Sequence, residues 1–260
     1  MLKHLIAGVE LPFEEERFAE ELLALKPLIG LEKLTLAHVA QYPGDLKGAR
    51  ETLEKHAQDL KGKLGLEKVD VEALTGLPAE ELNRLATDKM ADGLVMLFHN
   101  HSKTYEFFLG SVALNTARST RHPLLLLTEQ PDATSGTLML ASDGSKAAQA
   151  AEKVFADLRP QAKQGVIINV QTDKDEAEHD QAIQALKATY NEDGPVEVIR
   201  AQGDPIAEIL QSSRFYSVDL VILGKRGQNP LKQLMFGSTA EQLCRQIKRP
   251  VLIVPAEAGS

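Results

Sequence analysis

The sequence contains almost no cysteine and no hydrophobic run long enough to cross a membrane. Cys244 is the one cysteine among 260 residues, so no disulfide can form within the chain. It lies on the apolar side of a predicted helix, where a cysteine is typical of a small core residue. The run from Met1 to Val9 is too short for a secretory signal and predicts a strand. We therefore expect a cytoplasmic protein in a reducing compartment.

Basic residues are outnumbered by acidic ones. Lys and Arg number 29 against 37 Asp and Glu, which gives a formal net charge of −8 at pH 7. That balance provides no long-range attraction for nucleic acid or for an anionic membrane surface. We expect neither as a partner. The hydrophobic fraction of 43% is ordinary for a soluble globular protein and supports a sizeable core.

The sequence also lacks the patterns of common catalytic sites. It has no nucleophile elbow, no Walker lysine after a glycine loop, and no pair of carboxylates at a spacing that explains acid–base chemistry. No catalytic residue is assigned. These absences favour a protein that binds a ligand without turning it over efficiently.

Histidines and aromatic residues gather between positions 98 and 108. His99 and His101 form a His-x-His pair that can begin a metal site, but no cysteine or nearby acid completes a tetrahedral set. A solvent-facing loop is favoured, and no metal is assigned. The aromatic residues favour a packed domain interface, with a pocket for a hydrophobic ligand as the alternative. They are Phe98, Tyr105, Phe107 and Phe108.

Short apolar runs alternate with helical patterns along the whole chain. The predicted strands are residues 5–9, 34–39, 69–71, 93–97, 124–127, 138–141, 166–170, 196–200, 220–223 and 251–254. The helices predicted in the second half are 145–158, 177–190, a segment from about 205, and 238–248. Continuous apolar strands that alternate with helices predict parallel sheets covered on both faces. The predicted fold class is therefore α/β, with doubly wound, Rossmann-like parallel sheets.

The second half of the chain repeats the first. A shift of 127 residues superimposes identical residues without a gap over the last part of each half. The matched pairs are Val69 and Val196, Val71 and Val198, Gly76 and Gly203, Pro78 and Pro205, Glu81 and Glu208, Asp92 and Asp219, Gly110 and Gly237, Ser111 and Ser238, Ala113 and Ala240, Arg118 and Arg245, Pro123 and Pro250, and Leu125 and Leu252. A turn-rich polar linker, residues 128–136, joins the halves. We therefore predict two tandem domains, residues 1–130 and 131–260.

The most informative motif is Gly224-Lys225-Arg226-Gly227, followed after nine residues by Gly237-Ser238-Thr239. It stands between an apolar strand and an amphipathic helix, which is the layout of a backbone cradle for phosphate groups. Glycines allow backbone amides to approach an anion closely, and a helix N-terminus favours negative charge. Ser238 is predicted to cap this helix, with Glu241 three residues later completing the cap.

At these residues the chain resembles the universal stress protein family. The resemblance extends to Asp143, behind the first strand of the second half, and to Gly203-Asp204-Pro205 before a helix. It implies two domains of the adenine nucleotide α-hydrolase-like kind, ATP as the ligand, with or without Mg²⁺, and a role as a nucleotide-dependent stress-response regulator. By resemblance, the residues that contact the base, ribose and phosphates are Asp143, Val170, Gly224, Arg226, Gly227, Gly237, Ser238 and Thr239.

Some of these residues have plainer explanations. Asp143 is also a candidate N-cap for the helix that follows it, as is common at strand-to-helix turns. Lys225 and Arg226 would supply positive charge to a triphosphate, whereas isolated loop cations are more often solvent-facing. The functional interpretation of these side chains depends on the glycine motif beside them.

The first domain keeps the fold positions but not the cradle. At the offset of 127 residues, Leu97 stands in the place of Gly224 and Asn100 in the place of Gly227. A branched side chain at the first position blocks close approach of the backbone to a ligand. Glu10 stands where the second domain has its aspartate. We therefore predict a degenerate first domain and ATP binding by the second domain.

Two other classes of function stay open. An enzyme of the related α-hydrolase-like group would hydrolyse ATP or transfer a group from it. A pyrophosphatase of that group would carry a Ser-Gly-Gly-x-Asp-Ser loop, which Ser142-Asp143-Gly144-Ser145 does not match. A scaffold for protein interactions is the other class, and an intact glycine cradle argues against it.

The last predicted strand of each domain is wholly apolar, at residues 123–127 and 250–254. In the family that the chain resembles, single domains commonly pair through these strands. An apolar edge left unpaired invites aggregation. We predict that the two domains of one chain form a pseudo-dimer, with further homodimerisation through other surfaces left open.

Overall fold

The computed structural model describes residues 1–98, 111–128, 135–145, 148–171, 184, 196–225 and 237–256. The chain divides into two compact units, Met1–Pro131, the N-terminal unit, and Asp132–Ser260, the C-terminal unit. Within its described residues, each unit contains a parallel sheet flanked by helices. The predicted α/β class and tandem organisation are confirmed.

The N-terminal unit contains five described strands that pair in parallel. They are β1 (His4–Gly8), β2 (Lys33–Ala40), β3 (Val69–Thr75), β4 (Gly93–Leu97) and β5 (Leu124–Leu127). Their order across the sheet is β3-β2-β1-β4-β5. The helices described here are α1 (Glu15–Ile29), α2 (Leu46–Leu64), α3 (Pro78–Asp88) and α4 (Ser111–Ser119), with a 3₁₀ turn at Pro43–Asp45.

The C-terminal unit repeats this plan. Its described strands are β6 (Thr137–Ala141), β7 (Gln164–Gln171), β8 (Val196–Gln202), β9 (Leu220–Gly224) and β10 (Val251–Val254). They are parallel and lie in the order β10-β9-β6-β7-β8. The helices described here are α5 (Gln149–Leu158), α6 (Pro205–Phe215) and α7 (Ser238–Gln246), with a 3₁₀ turn at Arg159–Gln161. Residue 184 is helical, and the rest of the helix predicted over 177–190 lies outside the described residues.

The inner strands of both sheets are buried on both faces, as continuous apolar runs predict. Helix α1 buries a stripe at helical spacing that includes Leu22 and Leu25. Leu23 is 48% exposed although its neighbour Leu22 is buried, because successive residues of a helix are about 100° apart around its axis.

The structure can be compared with two features of the sequence, its single cysteine and its lack of a membrane-spanning run. Cys244 is 2% exposed and is confirmed as a core residue. Burial, with a smaller effect from the Glu241 carboxylate, raises the pKa of its thiol to about 12. Across the part of the chain that is described, no helix is both long and apolar enough to span a membrane.

The structure corrects the start of one predicted helix and the length of one strand. Helix α5 begins at Gln149 rather than Ser145. Ser145 belongs to a turn, in which its N–H donates to Asp143 Oδ1 at 3.0 Å and its carbonyl accepts the N–H of Ala148 at 2.9 Å. Strand β3 extends to Thr75, beyond the predicted 69–71. Strand β3 lies at one end of its sheet, and all its side chains are half-buried. Such a strand does not need the continuous apolar run by which inner strands are recognised in a sequence.

An aspartate explains one identity of the internal repeat. In the N-terminal unit, Asp92 accepts a hydrogen bond from the backbone N–H of His4 at 2.8 Å. In the C-terminal unit, Asp219 accepts the N–H groups of Gly136 at 2.6 Å and Thr137 at 2.8 Å. Each carboxylate precedes the fourth strand of its unit and holds the start of the first strand. The repeated aspartate is therefore structural.

A charged cluster joins α1 to α2. Glu15, whose side chain is 11% exposed, accepts hydrogen bonds from Lys63 at 2.7 Å and from His56 at 2.5 Å. Burial is the largest single influence on Glu15 and opposes its ionisation, but the two hydrogen bonds and charges together outweigh it. The pKa of Glu15 is therefore lowered.

Replacing Glu15 with Gln is expected to lower the melting temperature at pH 7, by no more than about 3 °C because the pair is partly exposed. A lowered folded pKa stabilises the fold above the unfolded value near 4.3, and this stabilisation is lost as the pH falls through the folded pKa. The difference from the parent protein should therefore be constant above about pH 5 and shrink below it. Lys61→Met, on the same helix, is the control. An equal difference at pH 3 and pH 7 would contradict this interpretation.

Candidate functional site

The candidate site lies at the carboxyl edge of the C-terminal sheet. Because all its strands are parallel, β6, β7 and β9 end at the same edge. From β6 the chain proceeds to β7 and β8 on one side, and then returns to place β9 and β10 on the other side. The strand order therefore reverses between β6 and β9. Ligands of doubly wound sheets bind outside the strand ends at such a switch point.

The structure brings Asp143 and Gly224 to this switch point. Ala141 pairs with Leu223, so Gly224 and the turn that contains Asp143 follow directly on neighbouring strands. Asp143 is exposed, and its Oδ1 accepts the backbone N–H of Ser145 at 3.0 Å. This hydrogen bond forms a local turn. The N-cap position of α5 belongs to Ala148, so the alternative of Asp143 as a helix cap is wrong.

Two backbone hydrogen bonds bring Gly237 back to the end of β9. The N–H of Lys225 donates to the carbonyl of Val254 at 2.7 Å, and the N–H of Gly237 donates to the carbonyl of Lys225 at 3.0 Å. The second bond therefore holds Gly237 beside Lys225. Gly224 and Gly237 lie close to each other there, and neither has a side chain.

The backbone conformation does not require glycine at Gly237. Its φ of −58° and ψ of 137° are open to every L-residue. Gly224 is also absent from the described glycines with positive φ. Backbone conformation therefore does not explain glycine at these two positions, and the missing side chains leave space beside the backbone. That space is what a phosphate cradle needs.

Helix α7 begins beside these glycines. Gly237 occupies the N-cap position, so the prediction that Ser238 caps the helix is wrong by one residue. The Glu241 carboxylate binds Arg245 at 2.8 Å. Thr239 lies exposed in the first turn. The free N–H groups of a first helical turn, together with the positive end of the helix dipole, favour an anion at this position.

Of the remaining predicted residues, the structure describes some and not others. Val170 is half-buried near the carboxyl end of β7, where it pairs with Ala201. Arg226, Gly227 and the side chain of Ser238 lie outside the described residues. Within the set, the structure therefore brings Asp143, Gly224, Gly237 and Thr239 to one edge of the sheet, with Val170 on the strand next to Asp143.

Lys225 contradicts the solvent-facing alternative for the loop cations. Only 5% of its surface is exposed, so it is not a solvent-facing loop residue. It follows β9 directly and has both its backbone groups bonded, as given above. The sequence did not reveal that the cation between Gly224 and the bonded Gly237 is buried.

Sequence reasoning also missed a polar network beneath the Asp143 turn. Asn169 is 2% exposed, and its Nδ2 donates to the carbonyl of Ser142 at 2.9 Å. The Ser142 hydroxyl donates to Glu152 at 2.6 Å and accepts the N–H of Gly144 at 3.1 Å. The available signal was one polar residue within the apolar run of β7.

The N-terminal unit has a different arrangement at the same edge. Leu97 ends β4, where the C-terminal unit has its glycine. Phe98 donates its N–H to the carbonyl of Leu127 at 2.7 Å, and its carbonyl accepts the Arg17 guanidinium at 2.8 Å. Glu10 is exposed. The Phe98 carbonyl therefore accepts from an arginine side chain, whereas the equivalent carbonyl in the C-terminal unit, that of Lys225, accepts from the N–H of Gly237.

The loop with the His-x-His pair and the aromatic residues lies outside the described residues from position 99 onward, as does Asn100. Among the residues that are described, no group of three or more His, Cys, Asp or Glu side chains could hold a metal ion.

Each unit is a doubly wound α/β domain of the Rossmann-like class, and the C-terminal unit has glycines at its switch point. The model of the universal stress protein family matches residues 22–128 and 135–255. The chain belongs to the universal stress protein family.

Individual relatives are similar over shorter stretches. The stress response protein NhaX of Bacillus subtilis is 40% identical over 62 residues, which is 24% of this chain and 36% of that protein. The universal stress protein YxiE of the same organism is 40% identical over 58 residues, which is 22% of this chain and 39% of that protein. These alignments span well under half the length of either relative.

A solved structure matches along the whole chain. The crystal structure of a universal stress protein from Archaeoglobus fulgidus superimposes with a TM-score of 0.81 and covers 98% of this chain and 99% of that one. Sequence identity to it is 20%, so the likeness concerns the fold.

Proposed function

We propose that the C-terminal unit binds ATP and that the protein acts as a nucleotide-dependent stress-response regulator. The observation that carries the proposal is the hydrogen bond from the N–H of Gly237 to the carbonyl of Lys225, the residue after Gly224. This bond places two residues without side chains next to the start of α7. The phosphates would lie there, against backbone amides and the positive end of the helix.

The base and ribose would lie on the β6 side of the switch point. Asp143 is exposed there and has one carboxylate oxygen in its local turn, which leaves the other for a ribose hydroxyl. Val170, on the neighbouring strand, offers an apolar surface for the adenine ring. Arg226, Gly227, Ser238 and Thr239 complete the proposed set on the phosphate side.

The N-terminal unit is proposed not to bind ATP. Leu97 carries a branched side chain at the position of the first glycine, and the Arg17 guanidinium occupies the carbonyl of the next residue. The domains are proposed as residues 1–130 without the cradle and 131–260 with it. A cytoplasmic location and a pseudo-dimer of the two units, joined through β5 and β10, are part of the same proposal.

Mass spectrometry of small molecules released from the purified, denatured protein tests the ligand directly. Adenine nucleotides should be released, and dialysed protein should bind ATP again when titrated with and without Mg²⁺. A protein that releases no nucleotide and binds none at millimolar ATP would instead be the interaction scaffold.

Hydrolysis of bound ATP is expected to be slow. No histidine, paired carboxylate or Walker-type lysine is assigned to the site, so the steady-state rate of phosphate release should be far below the roughly 10 s⁻¹ median of dedicated enzymes. A rate near that median, lost in a Gly237→Val variant, would show that the protein is an ATP-hydrolysing enzyme.

A further inference from the structure

The carboxamide of Asn169 is held in one orientation. Its Nδ2 donates to the Ser142 carbonyl at 2.9 Å, and a carbonyl can only accept, so the amide nitrogen must face it. Its Oδ1 is buried and has no hydrogen-bond partner among the described residues. Leaving a buried acceptor unpaired destabilises a fold. An apolar side chain would serve the core of β7 better, so the contact with Ser142 needs another reason.

Ser142 is fixed at every polar group. Its N–H donates to the carbonyl of Ile168 at 3.1 Å and its carbonyl accepts from Asn169. Its hydroxyl is bonded to Glu152 and to the N–H of Gly144. Asp143, the next residue, is exposed and has one described hydrogen bond, to Ser145. The position of its carboxylate therefore depends on how firmly Ser142 is held.

The N-terminal unit makes the same contact with a different residue. Strands β2 and β7 each have eight residues, and His38 and Asn169 are each the sixth. His38 Nδ1 lies 3.0 Å from the carbonyl of Val9, the residue before Glu10, just as Asn169 bonds to the residue before Asp143. The hydrogen bond is common to both units although imidazole and carboxamide differ chemically. What the two residues share is the geometry they impose on the first turn.

We propose that Asn169 is a positioning residue for the nucleotide site, which acts by holding Ser142 so that the Asp143 carboxylate faces the ligand. The proposal rests on the proposed function, in which Asp143 contacts the nucleotide. Histidine can replace Asn169 because its ring N–H can donate to the same carbonyl. Leucine cannot, although it fills a similar volume.

The test uses the full-length chain and calorimetric titration with ATP. Asn169→Leu should weaken ATP binding about tenfold, the loss of one hydrogen bond's worth of positioning, while Asn169→His should stay within about threefold of the parent. The melting temperature of Asn169→Leu should stay close to that of the parent, since the unpaired Oδ1 is removed while the Ser142 carbonyl loses its donor. His38→Asn, the reciprocal exchange in the N-terminal unit, should leave ATP binding unchanged.

A double-mutant cycle separates positioning from a general structural role. In an Asp143→Ala background, Asn169→Leu should have no further effect on ATP affinity, because the residue it positions is gone. An undiminished effect in that background, or an equal loss in the histidine and leucine variants, would overturn the proposal.

Amide hydrogen exchange without ligand makes the result independent of nucleotide binding. The N–H groups of Gly144 and Ser145 should exchange faster in Asn169→Leu than in the parent and Asn169→His. If the parent does not bind ATP, the proposed function fails, and this exchange experiment still decides whether Asn169 holds the turn. Unchanged exchange in the leucine variant would refute the positioning role.

Discussion

Replacing Gly237 with Val is expected to weaken ATP binding about 100-fold while leaving the melting temperature of the protein nearly unchanged. The φ and ψ of Gly237 are those of extended backbone that valine adopts readily, so the fold should accept the change. The new side chain would occupy the space in which the phosphates approach the start of α7. Few glycine substitutions separate binding from folding so cleanly, because many glycines are needed for a positive φ.

The matched control is the same change in the other unit. Gly110 stands 127 residues before Gly237, and Gly110→Val should leave ATP affinity as it is in the parent. Gly224→Val should lose binding as Gly237→Val does, because both glycines border the same space. Parent-like affinity in the Gly237→Val variant, measured by calorimetry, would remove the phosphate cradle from the proposal.

Replacing both Leu125 and Leu252 with Lys should have the largest effect on stability. Both are fully buried, and each lies in the strand at one end of the sheet of its own unit. An apolar strand in that position needs a partner, which we propose is the equivalent strand of the other unit. A linker of about nine residues reaches roughly 30 Å when extended, which is enough for the chain to reverse between units.

The double variant should be less compact by small-angle scattering and should melt more than about 10 °C below the parent, since a buried unpaired charge is among the costliest substitutions. Leu77→Lys is the control, because Leu77 is 64% exposed and can carry a charge without cost. Retained far-UV circular dichroism at 20 °C would show that the units themselves stay folded. Unchanged compactness and melting would mean that the final strands do not join the units.

The fold was predictable because its signals are local and repeated. The inner strands are apolar on both faces, and β4, β5 and β10 begin and end at the predicted residues. Strand β3 was underestimated because its half-buried side chains remove the apolar pattern. Helix α5 was predicted too early because Ser145 belongs to a turn closed by the Asp143 side chain, and helical spacing of apolar residues does not reveal such a turn.

The candidate site was predictable where it depends on the backbone. Gly224 and Gly237 were found by their spacing, and parallel strands place such residues at one edge of the sheet. Asn169 was missed because one polar residue in an apolar strand looks like a tolerated exception. Its contact with Ser142 joins residues 27 apart in sequence, so the pairing of β6 with β7 was needed to see it.

The number of ATP molecules bound per chain tests most directly whether one of the two units is a nucleotide site. Isothermal titration of the dialysed full-length protein should give one site per chain, and that site should disappear in the Gly237→Val variant. Two sites per chain, or one site that survives in that variant, would contradict the assignment of nucleotide binding to the C-terminal unit alone.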